Sequence, residues 1–228
     1  MYVDGYCERV APGLWGEPAN AVSNVAFFVA AGLLAWLLSG QRRRAPLPMW
    51  LVPILLATVG ACSLAFHLAA TRATSALDSL AIIAFILLVV VLLVRWTWGI
   101  RWRWAWLAAP AYLAAAVGMN AALAAVAGER ATLGGYLPAL VVLVGFGVAV
   151  RHTARPPGRR AGGLLLVAAA IFAVSLTLRT LDEPLCARFP LGTHFVWHIL
   201  NAAVLFLVGY AVSLRQQASD PHHASHAG

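Results

Sequence analysis

The stretch ALDSLAIIAFILLVVVLLVR, residues 76–95, decides the fold class. After Asp78 and Ser79 it holds no polar side chain until Arg95. A helix rises 1.5 Å per residue, so about 20 such residues cross the roughly 30 Å hydrocarbon core of a bilayer. The run is continuous rather than alternating, which argues against a barrel strand. Working outward, six more runs read the same way: roughly 20–39, 49–70, 104–126, 135–151, 162–180 and 194–214, the fifth span being the shortest. Short polar or Gly/Pro-rich breaks separate them: 40–48, 71–74, 98–103, 128–134, 155–158 and 182–192. The expectation is an all-α membrane protein, a seven-transmembrane-helix bundle over 20–214. An N-terminal segment (1–19) precedes it and a polar tail (215–228) follows it. No internal repeat is visible, and the mixed, partly acidic residues 1–19 lack the pattern of a cleavable signal peptide.

Composition agrees. Hydrophobic residues make up 62% of the 228 and charged residues 11%, against about 25% charged in soluble domains. A disordered chain or a nucleic-acid binder is excluded despite the net charge of +8. That charge is a topology signal. Arg42, Arg43, Arg44, Arg95, Arg101, Arg103, Arg151, Arg155, Arg159, Arg160 and Arg215 share one side of a seven-span chain. Arg9, Arg72, Arg130, Arg179 and Arg188 fall on the other, with most of the acids. The positive-inside rule puts the N-terminus outside and the C-terminus in the cytoplasm.

Ionisable residues within spans are costly, by at least about 2.5–3.5 kcal/mol for charged types, and default to function. His67 lies near the outer end of the second span, with Ser63 one turn earlier on the same face. Asp78 follows eleven residues after His67, at the outer start of the third span. His194 and His198, four apart, share one face at the outer start of the seventh. Four crossings separate the second span's end from the seventh's start, so both lie on one side. All four residues fall within about 5–8 Å of that boundary. Three neutral imidazoles and a water make an open zinc geometry, and a nearby carboxylate can orient a ligand or accept a proton. Taken singly, each His also reads as a helix-end residue bonded to a neighbour.

A second polar group gathers at the first span's outer end: Asp4, Glu8, Glu17, Asn20, Ser23 and Asn24. Oxygen-rich clusters suit calcium, but acids and Asn also cap helix N-termini, and spacing alone favours capping. Cys62 lies inside a span and reads as a small apolar residue. Cys7 and Cys186 both fall outside, where they either pair or remain two thiols. Trp96, Trp98, Trp102, Trp104 and Trp106, interleaved with Arg, read as an interfacial aromatic belt. His222, His223 and His226 lie in the tail, on the other side from the span histidines.

Asp4-Gly5-Tyr6-Cys7-Glu8, the run from Glu17 to Asn24, Ser63-Leu64-Ala65-Phe66-His67, Asp78 and His194-Phe195-Val196-Trp197-His198 together resemble the alkaline ceramidase family. That family belongs to a wider superfamily of seven-helix membrane hydrolases and related receptors, such as the adiponectin-receptor-like proteins. The resemblance covers essentially the whole chain. It implies a zinc-dependent amide hydrolase acting on ceramide-like sphingolipids, with zinc on His67, His194 and His198. Asp78 would hold or deprotonate the attacking water, and Ser63 would stabilise the oxyanion. It also implies calcium near Asp4, Glu8 and Glu17, and a Cys7–Cys186 disulfide. The acidic segment is shorter than in eukaryotic members, an aromatic in it is shifted, and Ser79 stands where an acid often follows the Asp78 motif. The form is closer to bacterial members, which places the chain in an inner membrane with its site facing the periplasm. The rival readings are a zinc-containing lipid receptor without turnover and, more remotely, a haem carrier using His67 and His198.

Overall fold

The computed structural model describes residues 2–3, 5–41, 45–153 and 158–219. Every regular element among them is helical, and the one extended pairing is an isolated bridge between Tyr2 and Thr71. Six stretches are long and apolar enough to cross a bilayer: Pro18–Ser39, Leu47–Ala69, Arg72–Trp98, Trp102–Ala127, Gly158–Leu185 and His194–Ala218. The first comprises α1 (Pro18–Ser23) and α2 (Val25–Ser39), interrupted at Asn24. Next come α3 (Leu47–Ala69), α4 (Arg72–Trp98), α5 (Trp102–Ala105), α6 (Ala108–Ala127), α7 (Leu137–Thr153), α8 (Gly158–Leu185) and α9 (His194–Ala218). The expected fifth span corresponds to α7. At 17 residues it is about 26 Å long, shorter than the roughly 30 Å hydrocarbon core.

Several boundaries differ from expectation: α8 begins at Gly158 rather than 162, and α9 runs to Ala218, into the expected polar tail. Two others have a visible cause, one local and one tertiary. α4 begins at Arg72 because Thr71 and Thr74 cap it: the Thr71 hydroxyl accepts the Thr74 N–H at 3.2 Å and the Thr74 hydroxyl accepts the Thr71 N–H at 3.2 Å. α8 runs on to Leu185, past the expected stop at 180, because Asp182 is held in place by bonds from distant parts of the chain.

The chain forms two compact units: Met1–Phe85 with Ile171–Phe206, and Ile86–Ala170 with Leu207–Gly228. In the first, α2 and α3 pack closely, and a Cβ on Gly60 would lie 2.7 Å from Phe27 Cβ. Ala70, left-handed at φ 49°, ends α3. The N-terminal segment is tied to that end: Val3 N–H donates to the Ala70 carbonyl and Gly13 N–H to that of Leu68, both at 2.8 Å. In the second unit, Arg215 Nη2 donates to the Trp96 carbonyl at 2.9 Å, and the Arg95 guanidinium lies over Trp102. Trp98, Trp104 and Trp106 are exposed there. α6 buries no residue and is apolar apart from Tyr112 and Asn120, as suits contact with acyl chains.

Candidate metal centre

The last turn of α3 and the first two turns of α9 bring His67, His194 and His198 together. One nitrogen from each lies within 4.8 Å of the other two, and all three residues are buried. The i,i+4 spacing aims His194 and His198 the same way, with ring centroids 4.6 Å apart.

The hydrogen bonds assign a proton to Nδ1 of His67 and of His198. His67 Nδ1 is 2.8 Å from Glu17 Oε2. A carboxylate accepts, so Nδ1 donates and Nε2 is the nitrogen turned toward the other rings. His198 Nδ1 is 3.1 Å from the Asn20 carbonyl and 2.7 Å from Ser23 Oγ. The Ser23 hydroxyl gives its own proton to that carbonyl at 2.9 Å. His198 Nδ1 therefore also donates, and its Nε2 faces that of His67. These two Nε2 atoms stand 3.1 Å apart. At that distance either one ring donates a proton to the other or a metal ion lies between them. The two rings are 1% and 2% exposed, so bulk water does not separate them. A tetrahedral zinc with bonds of about 2.0–2.1 Å spaces its ligand nitrogens by about 3.3 Å. His194 Nδ1 is buried with no hydrogen-bond partner among the described residues. The donor set is consistent with zinc.

Glu17 lies just before the first span and is fully buried. Burial pushes its carboxyl upward. The bonds from His67, Arg9 and Asn20 outweigh that and hold it below the usual carboxylate range. The Arg9 side chain, also fully buried, donates from Nε to Glu17 Oε1 at 2.5 Å. The Tyr6 ring covers His194, with centroids 3.9 Å apart. Asp182 fastens the start of α9. Its Oδ1 accepts the Thr193 and His194 N–H groups at 2.6 and 3.0 Å, and its Oδ2 accepts the Cys7 N–H at 3.0 Å. Beside it, Cys7 and Cys186 form a disulfide, so the open question about these two thiols resolves in favour of pairing. Cys62 remains a free thiol.

Ser63 is buried one turn before His67 on the same face, and no hydrogen bond joins it to the histidines among the described residues. Asp78 is half-buried on α4, and its Oδ1 is enclosed without a hydrogen-bond partner. It interacts electrostatically with Arg179 rather than joining the cluster of ligand nitrogens. The calcium expectation needs correction. Asp4 lies outside the described residues. Both oxygens of Glu8 accept backbone N–H groups at the start of α1, from Ala19 at 2.7 Å and Asn20 at 2.8 Å. Both oxygens of Glu17 are taken by Arg9, His67 and Asn20. Glu8 and Glu17, the two described carboxylates, already serve protein donors and so do not fit the ion; among the neighbouring oxygens only the amide oxygens of Asn20 and Asn24 are buried without a partner among the described residues.

A ceramidase family model matches residues 5–226, nearly the whole chain. The chain belongs to the ceramidase family. No curated protein matches it. Membership implies a hydrolase acting on a lipid amide, and the apolar helices suit a membrane-borne substrate. In this ceramidase-family chain, sequence reasoning missed Arg9, Tyr6 and Asp182 as parts of the site. In the sequence Arg9 enters only through the charge balance and Asp182 only as the first residue of the break 182–192. One signal was present: Arg9 sits among acids on a side that carries few cations.

Proposed function

We propose that this protein hydrolyses the amide bond of ceramide or a related lipid amide, using a zinc ion held by His67, His194 and His198. The observation that carries the reading is three buried imidazoles, one nitrogen of each within 4.8 Å of the other two, with His67 and His198 held at Nδ1 by hydrogen-bond acceptors. Zinc in such a site supplies a water acidified to a pKa of about 7 and a Lewis acid for the carbonyl oxygen.

The chain's own residues carry the remaining steps. Glu17 holds His67 by Nδ1, and the Asn20 carbonyl and Ser23 hold His198 by Nδ1, presenting Nε2 of both rings to the ion. Asp78 Oδ1, enclosed without a partner, accepts the proton of the attacking water and passes it to the departing amine nitrogen. The Ser63 hydroxyl donates to the carbonyl oxygen as negative charge develops there. The acyl chains lie among the helices, with the scissile amide at histidine depth.

The same reading takes α7 as a seventh span and places the N-terminus and the site on the extracytoplasmic side. The Cys7–Cys186 disulfide supports that side, because such bonds persist in oxidising compartments. The test is release of fatty acid from ceramide by purified, zinc-loaded protein, wild type against His198→Ala. Equal rates sink the mechanism. Tight lipid binding without release from the wild type would favour a receptor or sensor.

A further inference from the structure

The acidic segment that the family resemblance assigns to calcium already holds a cation belonging to the chain. The Arg9 side chain is fully buried. Its Nε donates to Glu17 Oε1 at 2.5 Å and its Nη1 to the Val3 carbonyl at 2.6 Å. The guanidinium carbon lies 4.9 Å from the Tyr6 ring centre and 4.7 Å from that of Phe66, within cation–π range of both. A buried charge is costly unless paired and hydrogen-bonded, and Arg9 is both. Its Nη2, 3.4 Å from His67 Nδ1, is too distant to displace the 2.8 Å bond from that nitrogen to Glu17. Glu17 is therefore gripped on Oε1 by Arg9 and on Oε2 by His67. Calcium would need about six to eight oxygens. Here a carboxylate oxygen and a carbonyl oxygen point at the guanidinium, and Glu8 is committed to the start of α1.

We infer that Arg9 is a built-in substitute for calcium. It is a positioning residue that fixes Glu17, and through Glu17 the His67 ring, so the chain takes up no calcium at its N-terminal acidic segment. The effect on zinc rests on the metal-site reading above. The absence of calcium binding does not.

The experiment uses full-length protein in lipid nanodiscs. Equilibrium dialysis against radiolabelled calcium chloride is expected to show no retained calcium. One equivalent held by the wild type overturns the inference. Zinc affinity is then read by competition with a zinc-binding dye. Arg9→Gln is expected to weaken it by about 10–100-fold, the usual effect of losing an outer-shell partner. Arg9→Lys, which keeps the charge but loses the fork, is expected to fall between. Unchanged affinity in Arg9→Gln also overturns the inference. Should that variant fail to fold, the calcium measurement on the wild type still decides. Zinc binding without lipid hydrolysis would defeat the proposed activity and leave this inference standing, whereas retained calcium would do the reverse.

Discussion

Replacing Asp182 separates the two oxygens of one carboxylate. Oδ1 receives the first N–H groups of α9, from Thr193 and His194, and Oδ2 receives the N–H of Cys7. Asp182 is 3% exposed, so water does not readily replace it. Hydrogen bonds to a charged group contribute about 1.5–3 kcal/mol each. Asp182→Ala removes three of them and the favourable charge at a helix N-terminus. Non-additivity brings the expected loss to about 4–6 kcal/mol. In Asp182→Asn the amide oxygen keeps the two bonds to α9, and the amide nitrogen faces the Cys7 N–H as a second donor. That variant should lose about 2–3 kcal/mol. The assay is reversible unfolding in mixed micelles of increasing denaturing detergent, with the disulfide intact. Asn as damaging as Ala, or both within about 1 kcal/mol of wild type, would show that Asp182 does not organise this end of the protein.

Asp78→Asn should lower kcat by about 10²–10⁴-fold while zinc content stays at the wild-type level, measured by elemental analysis alongside fatty-acid release. Ser63→Ala should cost about 10²–10³-fold in kcat, with the metal again retained. Gly192→Ala should prevent stable accumulation. Gly192 sits at φ 67°, and an added Cβ would collide with Asp182 Oδ1 and lie 2.8 Å from Cys7 Cβ. Detergent-extracted yield and melting temperature read that outcome. Cys7→Ser with Cys186→Ser should lower stability by about 2–5 kcal/mol, and a reductant should then have no further effect on the melting temperature.

The helical, membrane-borne class was legible because long apolar runs satisfy a local rule. Each span announces itself without reference to its neighbours. The convergence of His67 with His194 and His198 was legible for a different reason. Counting crossings fixes depth, and depth restricts which span ends can meet. Arg9, Asp182 and the real use of Glu17 were not legible, because their meaning lies in partners far along the chain. Cys7 and Asp182 are 175 residues apart, and Glu17 and His67 are 50 apart. No periodicity links such pairs. The extension of α8 past residue 180 escaped for the same reason. Asp182 and Glu183 read as loop residues until the N-terminal segment supplies Asp182 with a donor.

The bridge between Cys7 and Cys186 spans 179 residues of sequence. At about 5–20 residues per second, the ribosome finishes one cysteine roughly 9–36 s before the other. During that interval the N-terminal segment has been made and its counterpart has not. His194 and His198 follow Cys186 by 8 and 12 residues, so the last two histidines of the cluster and the anchor for the first segment emerge close together. Maturation of the centre is therefore a late event in biogenesis. A chain interrupted between α8 and α9 would carry most of its helices into the bilayer but neither His194 nor His198.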